Sequence, residues 1–123
     1  MKLRYPAGRQ AFGEARLNWA KDDIVAFLVG ANYRVSETHR AVADLKAVVH
    51  GPVAVENRTI TDGFARCNRI RFPGVKGEAK AHAVVIAKRG GVLVAYSDEV
   101  ANFPVQPNGG DIDVKFEPFI FRL

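Results

Sequence analysis

Arg66, Arg69 and Arg71, with Phe64 and Phe72 beside them, are the residues whose types and spacing come nearest to a binding chemistry. Arginines interleaved with aromatics can follow a phosphate backbone and stack bases. The same planar fork of donors also grips carboxylates on an acidic protein surface. Non-specific nucleic-acid binding draws on a broad basic stripe and many phosphate contacts. Three arginines on one segment make a smaller footprint, which favours an acidic protein partner over nucleic acid. Arg69 and Arg71 also alternate with Ile70 and Phe72, the pattern of the wet face of any half-buried strand.

Other residues that could do chemistry are more easily read as structure. Asp111 and Asp113 lie two apart and could hold a hard cation or exchange a proton, yet a solvated strand face looks the same. His39, His50 and His82 have no i, i+4 partner of the kind metals use. Ser36, His39 and Asp44 supply the residue types of a hydrolytic triad without a nucleophile-elbow sequence. Gly90-Gly91 and Gly109-Gly110 fit no GxGxxG or GxxxxGK pattern and read as hairpin turns with positive φ. Cys67, the single cysteine, can form neither an internal disulfide nor a cysteine-rich zinc site. It reads as a structural thiol. The expectation is a chain with no catalytic residue, no cofactor and no metal, acting by shape and association.

The elements that must position these residues read as one domain over 1–123. The net charge of +5 permits an acidic partner, but the basic residues are dispersed. Met1-Lys2-Leu3-Arg4 is followed by no apolar leader, and no run is long enough to span a bilayer. Ala7, Ala11, Phe12 and Ala15 recur at helical spacing, and Pro6 suits a first turn. Ile24–Val29 is an apolar run of strand length. Ser36–Leu45 reads as a short helix capped by Ser36 or Thr38. Further strands are expected over 47–56, broken at Gly51-Pro52, over 58–61 before an Asp62-Gly63 turn, and over 64–72 as one alternating strand. A hairpin joins 80–88 to 92–96 through Arg89-Gly90-Gly91. Asn108-Gly109-Gly110 turns into 111–117, where Ile112, Val114 and Phe116 share a face. This punctuation predicts a mainly β fold, an antiparallel β-sandwich or jelly-roll-like barrel with one or two short helices. An open antiparallel sheet with a helix on one face is the alternative.

The last residues are apolar, whereas flexible tails are usually polar. Phe119, Ile120, Phe121 and Leu123 are expected to be held by the chain's own sheet or by a neighbouring subunit. With Arg66, Arg69 and Arg71 they form the candidate interface.

Several segments in order resemble a family of small virion structural proteins of tailed bacteriophages. They are the opening Tyr5-Pro6-Ala7-Gly8-Arg9-Gln10-Ala11-Phe12, then Trp19, Asp23-Ile24, Leu28-Val29, Tyr33, Thr38-His39 and Asp44-Leu45. Thr59-Ile60-Thr61-Asp62-Gly63 resembles the family's TVTDG turn. Ala83–Ile86 and Leu93–Tyr96 match its central hairpin, and Pro104–Ile112 with Ile120-Phe121-Arg122-Leu123 match its end. The resemblance implies a non-enzymatic particle component, assembled in the host cytoplasm and carried in the virion. Its expected partners are other copies of itself and other virion proteins, the major capsid protein or tail proteins, with no membrane contact. A capsid decoration (cement) or similar accessory subunit is the leading expectation, and a tail- or fibre-associated subunit the alternative. A small nucleic-acid- or glycan-binding module is the alternative of another class. The chain departs from the family in Arg66, Arg69 and Arg71, where the family is acidic, and in Phe116, where it has Trp.

Overall fold

A computed structural model describes all residues from 1 to 123. Its central sheet grows from the most apolar segments. Strands β2 (Ile24–Val29) and β7 (Ala83–Lys88) pair antiparallel from Ile24↔Lys88 to Val29↔Ala83. Every residue of β2 is buried, as befits a strand covered on both faces. Strand β8 (Leu93–Ser97) joins β7 through the Arg89-Gly90-Gly91 turn. Strand β1 (Lys2–Arg4) lines one edge and β3 (Val48–Ala54) the other, giving the order β1-β8-β7-β2-β3.

Alternation sends Ile24, Ala26, Leu28, Val84 and Ile86 to one face. A second layer covers that face. It consists of a three-stranded sheet, ordered β10 (Phe121–Arg122), β5 (Phe64–Arg66), β4 (Thr59–Thr61), and a pair of β6 (Ile70–Phe72) with β9 (Ile112–Val114). Between the layers lie Trp19, Ala65, Ile70, Phe72, Val114 and Phe121. The opposite face carries Val25, Phe27, Val29 and Val85, covered by Tyr5, Tyr33 and Leu45. The expected mainly β, antiparallel, sandwich-like fold is present.

The one α-helix, α1 (Pro6–Gly13), starts with Pro6 in its first turn and buries Ala7, Gly8 and Ala11. It lies against the backbone of β8, so close that a Cβ on Gly8 would sit 2.5 Å from the Leu93 carbonyl oxygen. A helical glycine normally weakens a helix. Here only glycine permits the approach. Gly109 has φ +88°, as the Asn108-Gly109-Gly110 turn requires.

Three local expectations are corrected. Ser36–Leu45 is no α-helix: its regular part is a single 3-10 turn at Val42–Asp44. The backbone of Arg40–Val42 bonds instead to the β7–β8 turn, with Leu93 N–H donating to the Arg40 carbonyl and Val42 N–H to that of Gly91. Gly51-Pro52 does not break its strand, because β3 absorbs the irregularity through register shifts against β2 on an edge, where a missing N–H is tolerated. The segment 64–72 is two strands in two different sheets, β5 and β6, separated by Cys67-Asn68-Arg69.

Candidate functional site

The split between β5 and β6 takes the arginine group apart. Strand β6 pairs with β9 so that Arg71 stands opposite Asp113. Arg71 Nε donates to Asp113 Oδ1 at 2.9 Å, and Nη2 to Oδ2 at 3.3 Å. Arg69 Nη1 lies 3.9 Å from Asp113 and Arg71 Nε 3.8 Å from Asp111. The Arg71 guanidinium holds the Asp113 carboxyl below its ordinary range. Asp111 also accepts the Gly74 N–H at 3.0 Å. The arginine pair and the carboxylate pair therefore neutralise one another across the strands. Such a solvent-exposed network is screened by water and contributes little to stability. Arg66 lies on β5 and Arg71 on β6, in different sheets, so the three arginines are not carried on one strand.

Arg66 belongs to a different cluster. Its Nε donates to the Pro118 carbonyl at 3.1 Å. Its guanidinium carbon lies 5.6 Å from the centre of the Phe64 ring, and that of Arg122 lies 6.0 Å from the same ring, within cation–π range. Phe119 packs on Phe64 with centroids 4.7 Å apart.

The C-terminal segment divides between core and surface. Strand β10 pairs with β5 as Phe121↔Ala65 and Arg122↔Phe64. Ile120 N–H donates to the Ala65 carbonyl and Leu123 N–H to the Gly63 carbonyl, both at 2.8 Å. Ile120 and Phe121 are buried, and Phe121 meets Trp19 edge-on at 5.1 Å. Phe119 is half-buried, and Leu123 is 48% exposed. The chain's own sheet therefore holds Ile120 and Phe121, and Leu123 stays at the surface.

Between this segment and β1 lies a half-open groove of about 210 Å³. Its floor is Val84, Ile86 and Ala95 on the central sheet, and its wall is Phe116, Phe119 and Ile120. Lys2, Arg4 and Arg122 form the rim. An Arg4 Nη1 hydrogen bond to the Arg122 carbonyl ties the two sides together. None of the three rim cations forms an ion pair within the chain. Lys2 and Arg4 were not among the residues singled out by sequence. Their signal is the alternation of Lys2-Leu3-Arg4, too short to read as a strand until β8 is beside it.

The residue types of a triad are present but committed elsewhere. His39 Nδ1 meets the Tyr33 hydroxyl at 2.9 Å, and Tyr33 meets the Tyr5 hydroxyl at 2.7 Å. Ser36 Oγ bonds Thr38, and the Asp44 carboxylate accepts the N–H groups of Arg40 and Ala41. No group of three or more His, Cys, Asp or Glu could together hold a metal.

Burial pushes the Cys67 thiol up to about 11 and, with Asp98 nearby, the Tyr96 phenol up to about 12. It raises Tyr5 and Tyr33 as well. These groups stay neutral in the fold and ionise more easily once unfolded. Their contribution to stability is complete below the ordinary values of 9.0 for the thiol and 10.0 for the phenols. It is lost as pH rises from there through the raised values. Urea midpoints are expected to hold level up to about pH 9 and fall steadily towards pH 12, with Tyr5→Phe flattening part of the slope. A midpoint unchanged at pH 11 would contradict the burial of these groups.

No protein-family model, curated protein or solved structure matches the chain.

Proposed function

We propose that the chain is a non-enzymatic structural subunit of a tailed-bacteriophage virion, and within that class a capsid decoration (cement) or similar accessory protein. It would be assembled in the host cytoplasm and repeated on the particle, in contact with other copies or with the capsid or tail proteins. The resemblance of its Tyr5–Phe12, Thr59–Gly63 and Pro104–Leu123 segments to such proteins points to this class. The observation that carries the reading is where the unspent chemistry lies. His39, Asp44, Asp111 and Asp113 are tied to partners inside the chain. Three cations without an ion pair, Lys2, Arg4 and Arg122, line an apolar groove at one corner, where β1 meets the C-terminal segment. Such a corner is suited to docking: apolar contacts supply the area, and charge selects the partner.

The test is the chain's abundance in purified particles, measured by quantitative mass spectrometry across a density gradient. A copy number in the hundreds places it on the shell. About three to twelve copies place it at the tail or a vertex, following the symmetry of those parts. Absence from every particle fraction rejects the reading.

A further inference from the structure

We propose that the groove between β1 and the C-terminal segment binds a small amphipathic carboxylate. An apolar body of about six to nine carbon atoms would lie between the two layers, with its carboxylate at Lys2, Arg4 and Ser97. Binding there does not depend on the particle reading, and copy number in particles does not test it.

The floor and the polar end follow from one cross-strand pattern. Val84 pairs with Ser97 and Ser97 with Lys2, while Ile86 pairs with Ala95 and Ala95 with Arg4. Residues directly opposite share a face. That face is the inner one, because Val84, Ile86 and Ala95 belong to the core between the layers. The groove therefore leads from β7 and β8 towards Lys2 and Arg4, with Phe116, Phe119 and Ile120 across from it. Its floor lies inboard of β1, so a chain laid along the sheet edge does not reach it. A slender ligand entering between the layers does. The volume of about 210 Å³ compares with about 150 Å³ for a dry cavity that takes up benzene.

Three groups at the β1 end have donors to spare. Arg4 spends Nη1 on the Arg122 carbonyl, which leaves Nε and Nη2. With that same fork Arg71 grips Asp113 elsewhere in the chain, and it matches the two oxygens of a carboxylate. Lys2 has no acidic partner. The carboxylates that line an adjoining hollow with it, Glu99 and Glu117, pair with the N-terminal amine and with Lys115. Ser97 is 7% exposed, buried among apolar residues. Its Oγ accepts the Glu99 N–H at 3.2 Å, and its own proton has no acceptor within the chain. A buried donor gains when an acceptor is supplied. Arg122 is not counted, because its guanidinium stands over the Phe64 ring. Charges on an edge strand also guard it against unwanted pairing. A guard would account for Lys2 and Arg4, but not for the spare hydroxyl proton of Ser97 or for the apolar hollow beside it.

The test is isothermal titration calorimetry of the untagged full-length chain with octanoate. Saturable one-to-one binding is expected, with a Kd below about 1 mM. Octanamide keeps the tail without the charge and should bind about tenfold more weakly or worse. Lys2→Gln and Ser97→Ala should each weaken octanoate about three- to tenfold. Lys46→Gln, at an exposed cation outside the groove, should change nothing. Circular dichroism checks the fold of each variant. Amide proton–nitrogen correlation spectra of the unaltered chain should show octanoate shifting Ala95, Ser97 and Phe119, a readout that needs no substitution. Five results overturn the proposal: no saturation by about 10 mM octanoate; octanamide binding as tightly as octanoate; equal weakening by Lys46→Gln; shifts confined to residues outside the groove; and tighter binding of an N-terminally blocked peptide ending in leucine, which would make another chain's C-terminus the occupant.

Discussion

A chain shortened by Phe119–Leu123 is expected not to fold. The deletion removes β10 and its pairing to Ala65 and Phe64, together with the hydrogen bonds to the Ala65 and Gly63 carbonyls. It also removes Ile120 and Phe121 from between the layers. Full burial of such side chains contributes about 1.5–3 kcal/mol each. Phe121 further supports Trp19 and Phe12, with ring centroids at 5.1 and 6.0 Å, so its loss leaves a cavity as well. The sum approaches the whole stability of an ordinary domain, about 5–15 kcal/mol. Circular dichroism and light scattering of the truncated protein should show lost β structure and aggregation. Removing Leu123 alone should cost about 1 kcal/mol, because its side chain is about half in water and it gives up one backbone hydrogen bond to Gly63. A folded, monomeric five-residue truncation would show that the closing segment is not part of the core.

Trp19→Ala is expected to destabilise the fold by about 3–5 kcal/mol, the range for emptying a large aromatic site. Trp19 is 1% exposed, although it sits in a loop and not in a regular element. Its indole N–H donates to the Thr59 carbonyl at 3.1 Å. The one side chain thus links the loop after α1, the β4–β5 hairpin and Phe121. Trp19→Phe keeps an aromatic ring and loses the donor, so a smaller loss is expected, about 1–3 kcal/mol for the orphaned carbonyl. Urea unfolding followed by far-ultraviolet circular dichroism measures both. Loss of less than about 1 kcal/mol on Trp19→Ala would mean that the two layers do not depend on this contact.

What could be read from the chain depended on the range of the forces involved. Ile24–Val29, the Arg89-Gly90-Gly91 turn and the Pro6 helix start were legible because apolar runs, turn residues and first-turn prolines act over a few residues. The face of Ile112, Val114 and Phe116 was legible for the same reason. Ser36–Leu45 was misread because its helical signals are weak, while Arg40–Val42 finds backbone partners in Gly91 and Leu93. Tyr33 and Leu45 at its flanks are drawn into the core. Alternation over 64–72 was real, but it cannot say which sheet each residue joins, and the chain changes sheets at Cys67–Arg69. The candidate site suffered most. Arg71 meets its neutralising carboxylate 42 positions away in sequence, and Arg4 meets the Arg122 carbonyl 118 positions away. No local pattern encodes either pairing.

The closure of the corner by the two extremes of the chain also sets an order in time. Strands β7 and β8 are joined by a tight turn and can zip together early, since a local hairpin forms in microseconds. Strand β1 must find Ser97 and Tyr96, and Phe121 must find Ala65, each across a long stretch of chain. Contacts of such sequence separation slow folding, because the loop must be closed before the contact rewards it. The groove is thus expected to be completed late in folding. It also rests on two of the shortest strands, β1 and β10, so hydrogen exchange is expected to show it opening before the central sheet.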